Sequence, residues 1–224
     1  MNLIGLDLDG TLEDSRSDMI ASVRRVRSGF GIPPRGDEEV APWVNQGMET
    51  LYRNCFDDFL KTGDEWVRLK AVQTAYETDY LDHVACETKL YPEIPHMLEG
   101  LHELGSLVVV TNKPERISKR LLEALKVDRW FRGVVGGDSC GAIKPDPLML
   151  RTAAKICGFN SSADLSFMIG DTSGDIKMGR AYGAITFWCK WGYSSAPGEK
   201  PDFIAGSPLE LPRQIRAILS KIPG

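Results

Sequence analysis

The sequence has little that would take the chain into a membrane and little that would staple it. No apolar run approaches the roughly 18 residues a membrane-spanning helix needs. No basic segment precedes an apolar stretch at the N-terminus, and acid arrives early, at Asp7, so a signal peptide is not expected. Five cysteines (Cys55, Cys86, Cys140, Cys157, Cys189) are an odd number, widely spaced, with no CxxC pair. They read as reduced and mostly buried thiols of a cytoplasmic protein. An excess of positive charge is also missing: the net charge is −4, and Lys and Arg are spread along the chain. No nucleic-acid surface is expected from that balance, although it leaves room for a local basic pocket. Internal repeats and low-complexity segments are absent.

What remains is ordinary globular material. An apolar fraction of 42% and a charged fraction of 26% are those of a soluble globular protein. With 224 residues the chain can bury a full core, as one domain of moderate size or two smaller ones. Leu3, Ile4, Leu6 and Leu8 read as a buried strand. Met19, Ile20, Val23, Val26 and Phe30 then recur at helical spacing until GFGIPP stops them. Residues 37–84 look helical almost throughout and offer no strand. From residue 90 helices alternate with apolar strands, the latter at 107–110, 133–135, 165–169 and 184–188. Such alternation predicts an α/β fold: a doubly wound, Rossmann-like parallel sheet with helices on both faces. The expected division is a core of residues 1–13 and 88–224, with a small all-helical domain, 14–87, inserted after the first strand.

Ligands of such sheets bind beyond the carboxyl ends of the strands. Here those ends carry Asp7 and Asp9, then Thr111, Asn112 and Lys113, then Lys144 in GAIKPDP, then Asp171 with Asp175 in GDTSGD. Asp7 and Asp9 would point to one side if the strand stayed extended. Like charges so close need a cation or a shared proton. Asp7, Asp9, Asp171 and Asp175 together could hold a hard divalent ion such as Mg²⁺. Opposite them Thr111, Asn112, the helix start after Pro114 and Lys144 could cradle a phosphoryl group, with Asp7 in line to attack it. Singly each motif has a plainer explanation. A lone Asp such as Asp14 or Asp128 is usually a turn or a cap, a Lys before Pro is usually solvated, and GDTSGD could be a capped helix start. Four in order, each at a strand end, outweigh those explanations.

DLDGTLEDS, VVVTNKPE, KPDP and GDTSGD resemble the four motifs of the haloacid dehalogenase superfamily, on its phosphatase branch. That resemblance implies an aspartyl-phosphate mechanism. Asp7 would be the nucleophile and Asp9 the general acid and then base. Thr111 and Lys144 would hold the phosphoryl oxygens. Mg²⁺ would bind Asp7, the backbone carbonyl of Asp9, Asp171 and Asp175. Gly10, Thr11, Asn112 and Lys113 would face substrate, with Gln46 and Gly47 of the insert. An aspartate at position 9 distinguishes phosphate-ester enzymes from the dehalogenases and phosphonatases of the superfamily.

The helical insert, DSRSDM and the WGY at 191–193 resemble the phosphoglycolate phosphatase-like subgroup, whose small α-helical cap the insert would be. Sugar-phosphate mutases share that cap but usually carry a histidine and an arginine in it, where this chain has Asp18 and NQGMETL. The implied partner is a small phosphorylated metabolite, phosphoglycolate first, handled by a monomer or homodimer with no nucleic acid and no membrane. Other readings are a phosphotransferase, mutase or pyrophosphatase on the same aspartyl-phosphate, or a non-catalytic phosphate-binding regulator. Arg16, Arg53 and Arg68 are candidates to capture a substrate carboxylate. Glu13 stands where the family usually has an apolar residue.

Overall fold

The computed structural model describes residues 1–44, 46–160 and 164–221. The chain forms two compact units, Met1–Glu13 with Leu90–Gly224, and Asp14–Lys89. It passes from the first to the second through β2 (Glu13–Asp14) and back through β3 (Lys89–Leu90), two residues each.

The larger unit starts with β1 (Asn2–Leu6) and resumes after β3 with α6 (Ile94–His102). Then β4 (Gly105–Val110), α7 (Glu115–Ala124), β5 (Phe131–Val135) and α8 (Leu148–Cys157) follow. The chain ends with β6 (Ser166–Gly170), α9 (Ser173–Tyr182), β7 (Ile185–Cys189), β8 (Phe203–Ala205) and α10 (Glu210–Leu219). Six strands pair in the order β5-β4-β1-β6-β7-β8, and every pairing is parallel. All residues of β4 and β6 are buried, as a sheet covered on both faces requires. On one face Leu3, Val108, Val110 and Met168 pack with Met149, Leu150 and Ala153 of α8 and with Met178 of α9.

Successive strands run from β1 outward through β4 to β5, and the chain then returns to the other side of β1 for β6 and β7. Connections leaving β1 and β6 therefore diverge, and a crevice opens above their carboxyl ends. The α/β doubly wound prediction agrees with this sheet, and the four predicted core strands after β1 appear within about two residues of their predicted limits. The apolar pattern does not mark β8, whose Phe203 and Ile204 are exposed on the edge strand.

The smaller unit holds α1 (Arg16–Gly29), α2 (Asp37–Val40), α3 (Met48–Cys55), α4 (Asp57–Leu60) and α5 (Glu65–Asp82). Met19, Val23 and Val26 of α1 are buried, as are Leu69, Val72, Tyr76 and Tyr80 of α5, each set at helical spacing. Arg27 is buried and fully committed: its Nη2 donates to Asp58 Oδ2 at 2.6 Å and its Nε to the Pro33 carbonyl at 2.7 Å. Asp18 closes the unit by accepting from the Thr88 amide at 3.0 Å and the Thr88 hydroxyl at 2.6 Å.

All five thiols are free, but the expectation that they are mostly buried holds for only two. Cys55 and Cys189 are buried in secondary structure, Cys140 and Cys157 are half-buried, and Cys86 is exposed in the turn after α5. Among the described residues no helix is long and apolar enough to cross a membrane.

Candidate active site

Each polar group of the crevice is placed by the strand that precedes it. Asp7 follows β1, and its amide donates to the Ile169 carbonyl at 2.9 Å, so the backbone is still in the sheet. Thr111 and Asn112 follow β4, and Asp171 follows β6. Asp175 sits in the first turn of α9, where it forms a capping box with Thr172. Its Oδ2 accepts from the Thr172 amide at 3.0 Å and hydroxyl at 2.6 Å. Lys144 comes from the loop after β5, held by the Asn112 side-chain oxygen, which accepts the Lys144 amide at 2.8 Å.

Ligand oxygens of Asp7, Asp171 and Asp175 lie within 4.8 Å of one another, and all three residues are buried. The Lys144 ammonium reaches two of them, at 2.6 Å from Asp7 Oδ1 and 2.8 Å from Asp175 Oδ1. Asp7 Oδ1 also accepts from the Leu8 amide at 2.7 Å. Among the described residues Asp7 Oδ2 accepts no hydrogen bond, so one oxygen is pinned and the other is free.

Charge balance governs the ionisation of this cluster. Burial, with Asp175 and Asp171 close by, pushes the Asp7 carboxyl well above the usual carboxylate range, against the pull of Lys144. Burial also pulls the Lys144 ammonium down, but Asp175 and Asp7 outweigh it and raise it. Asp171 is pushed up to about 6, by burial first and Asp175 second, although the Tyr193 amide donates to its Oδ2 at 2.8 Å. Three carboxylates against one ammonium leave a formal charge of −2 in a buried space. A divalent cation carries that charge with opposite sign.

A stability prediction follows from Asp171. Its folded-state value is raised, so its contribution is fully present below the ordinary carboxylate value near 4 and is lost as pH rises through about 6. Above that, the buried carboxyl is forced to ionise. Asp171→Asn removes the charge and keeps an oxygen for the Tyr193 amide. In excess chelator it should raise the melting temperature by several degrees at pH 8, worth about 1–3 kcal/mol, and by clearly less at pH 5. An equal gain at both pH values, or none at pH 8, would refute the charge argument.

The sequence-based expectation that four carboxylates meet here needs correction. Asp9 is not in the cluster; its Oδ1 accepts from the Lys113 ammonium at 2.6 Å. Its alternation with Asp7 fails because β1 ends at Leu6 and the chain turns at once. The Thr11 and Leu12 amides donate back to the Leu8 carbonyl, at 3.2 Å and 2.9 Å, and Gly10 takes φ +80°. Gly10 is needed for more than its dihedral: a Cβ there would lie 2.6 Å from Asp171 Oδ2.

The other expected residues are placed as follows. Thr11 donates through its hydroxyl to Asp171 Oδ1 at 3.3 Å. Thr111 is buried, its hydroxyl accepting the Lys113 amide at 3.2 Å. Gln46 and Gly47 belong to the smaller unit, where Gln46 Nε2 donates to the Pro42 carbonyl at 2.9 Å and Gly47 precedes α3 at φ +90°. All three candidate arginines are engaged within that unit. Arg16 pairs with Asp14, Arg53 with Glu49 and Glu65, and the Arg68 guanidinium lies 4.3 Å from the Phe59 ring centre. Glu13 is fully buried, and its backbone carbonyl accepts the Gly10 amide at 2.9 Å.

Sequence reasoning missed the collar behind Asp171. Trp188 Nε1 donates to the Asp171 carbonyl at 2.9 Å, and Trp191 Nε1 to the Thr11 carbonyl at 3.0 Å. Gly192 lies so close that a Cβ would stand 2.2 Å from Asp171 Cβ. WGY at 191–193 was the available signal, but spacing alone could not say what it touches.

Residues 4–189 match the family model of haloacid dehalogenase-like hydrolases. The chain is 32% identical over 212 residues to the phosphoglycolate phosphatase of Aquifex aeolicus, covering 94% of this chain and 95% of that one. It is 35% identical over 196 residues to the phosphoglycolate phosphatase of Haemophilus influenzae, covering 86% and 87%. The crystal structure of a predicted phosphoglycolate phosphatase from Haemophilus somnus superposes with a TM-score of 0.82 at 27% identity, over 96% of this chain and 97% of that one. Strand-end motifs, a buried acidic cluster at the switch point of a parallel sheet, and these likenesses agree: the chain belongs to the haloacid dehalogenase-like hydrolase family, alongside its phosphatases.

Proposed function

We propose that this chain is a Mg²⁺-dependent phosphatase that hydrolyses a small phosphorylated metabolite, with phosphoglycolate the leading substrate, through phosphorylation of Asp7. The observation that supports this most is the buried Asp7 carboxylate, pinned at Oδ1 by Lys144 and Leu8 and free at Oδ2. A group held in that way presents one oriented nucleophilic oxygen.

The donor set suits Mg²⁺, a hard ion that takes oxygen ligands and keeps several waters. Asp7 and Asp171 would hold it, with Asp175 and the Asp9 carbonyl beside them. When bound, the ion supplies positive charge that offsets the repulsion between the Asp7 carboxylate and the phosphate oxygens. The remaining work falls to side chains. Asp7 Oδ2 attacks phosphorus while Lys144 and Thr111 hold the equatorial oxygens. Asp9, positioned by Lys113, gives a proton to the leaving oxygen and later takes one from the water that cleaves the aspartyl-phosphate. The helical insert of 14–87 serves as the cap that chooses the leaving group.

A direct test is hydrolysis of phosphoglycolate against a panel of phosphorylated metabolites, ranked by kcat/KM. Phosphoglycolate at the head of the ranking supports the substrate; another ester there replaces it without touching the chemistry. Metal removal tests the cofactor separately. Excess chelator should abolish release of phosphate from an aryl ester, Mg²⁺ should restore it, and Ca²⁺ should not. Ca²⁺ prefers six to eight ligands at longer distances, which misaligns Asp7. Full turnover in chelator would refute a metal role for the cluster.

A further inference from the structure

We infer that Trp191, together with Trp188, is a positioning residue that fixes the spacing between Asp171 and the turn of residues 9–11, and thereby the size of cation the acidic cluster accepts. The inference rests on the reading above that this cluster holds Mg²⁺, and it assigns the cluster's selectivity to a loop that carries none of its carboxylates.

In the sheet β7 borders β6 and not β1, so its loop must cross over the end of β6 to reach the turn that follows β1. It does so with residues 191–193. Trp188 is still in the sheet, opposite Gly170, and is 4% exposed; its indole reaches forward to donate to the Asp171 carbonyl at 2.9 Å. Trp191 then donates to the Thr11 carbonyl at 3.0 Å. Gly192 is wedged between the two segments: a Cβ on it would stand 2.2 Å from Asp171 Cβ and 2.5 Å from the Gly10 carbonyl oxygen. The Tyr193 amide finishes the grip by donating to Asp171 Oδ2 at 2.8 Å, while the Thr11 hydroxyl donates to Oδ1 at 3.3 Å from the opposite side. One loop therefore holds the backbone and the carboxylate of Asp171 together with the turn that carries Asp9.

Such a grip matters most for a small ion. Mg²⁺ takes oxygen ligands at about 2.0–2.1 Å in near-ideal octahedral geometry, whereas Ca²⁺ accepts about 2.3–2.6 Å and irregular arrangements. Ligands held at a fixed spacing discriminate between the two ions; ligands free to spread discriminate less. Bonds that orient metal ligands from behind typically cost about 10–100-fold in affinity when removed. A bond that served folding alone would lower the melting temperature and leave the ratio of the two metal affinities as it was.

That ratio is the measurement. The melting temperature of the full chain, without substrate, followed against Mg²⁺ and separately against Ca²⁺, gives both dissociation constants. Trp191→Phe keeps an aromatic ring and loses the N–H. It should weaken Mg²⁺ binding about tenfold and Ca²⁺ binding by less, so that the ratio of the two constants moves against Mg²⁺ by about threefold or more, with unchanged circular dichroism. Trp188→Phe should move the ratio in the same direction. Trp130→Phe, which removes an indole packed on His102 in the turn between α7 and β5, should leave both constants unchanged. A wild-type chain that binds no Mg²⁺ overturns the metal reading and this inference with it. Mg²⁺ binding by wild type with an unchanged ratio in Trp191→Phe overturns the inference alone, and so does an equal shift in Trp130→Phe.

Discussion

Asp7→Asn should fall to background turnover, a loss of about 10⁴-fold or more, while the protein stays folded. An amide oxygen is a poor nucleophile toward phosphorus, and the proposed route has no second group to take its place. A loss of that size corresponds to more than about 5 kcal/mol of transition-state stabilisation. The variant should also melt higher than wild type in chelator, because burial beside Asp175 and Asp171 disfavours the Asp7 charge. Loss of activity with a raised melting temperature separates a removed nucleophile from a damaged fold. Phosphate release within about tenfold of wild type would end the aspartyl-phosphate proposal, and so would an acid-stable phosphoryl group on the variant chain.

How far the sequence leads depends on what each residue needs from its surroundings. The sheet was legible because β4 and β6 are built around the apolar runs at 107–110 and 167–169, and the rule that ligands lie beyond strand ends then gathers Asp7, Thr111, Lys144 and Asp171 without coordinates. Asp175 was legible as a helix-start residue four positions after Asp171. Asp9 was not: its direction depends on the tight turn at Gly10, which a period of two along a strand cannot represent. Nor could spacing show that Lys144 spans Asp7 and Asp175, because that bridge runs from the loop after β5 to the end of β1 and the first turn of α9.

Arg16, Arg53 and Arg68 show the same limit from the other side. As sequence they are three cations available for a carboxylate; in the structure each already has a partner in its own unit. A composition-level reading counts charges, whereas function depends on the charges that neighbours leave over. The edge strand β8 was missed for a related reason. Its three residues are mostly exposed, so no buried run announces it.

Those observations shape the expectation for Lys144→Met. Among the described residues Lys144 is the ammonium bonded to the acidic cluster, so under the proposed mechanism its loss acts on the phosphoryl group common to every substrate. Kinetics on three unrelated phosphate esters should show kcat/KM falling by a similar factor for all, about 10²–10³, or roughly 3–4 kcal/mol. Arg53→Ala, exposed on α3 and paired with Glu49 and Glu65, should stay within about twofold of wild type on each ester. Contacts to the non-reacting part of a substrate help only the substrates that possess it, so a cap residue that matters must act unequally. Gln46→Ala tests that residue: an unequal effect across esters assigns Gln46 to the leaving group. If Lys144→Met spares one ester, or if Gln46→Ala depresses all three by the same large factor, the division between a core that handles phosphate and a cap that selects the leaving group is wrong.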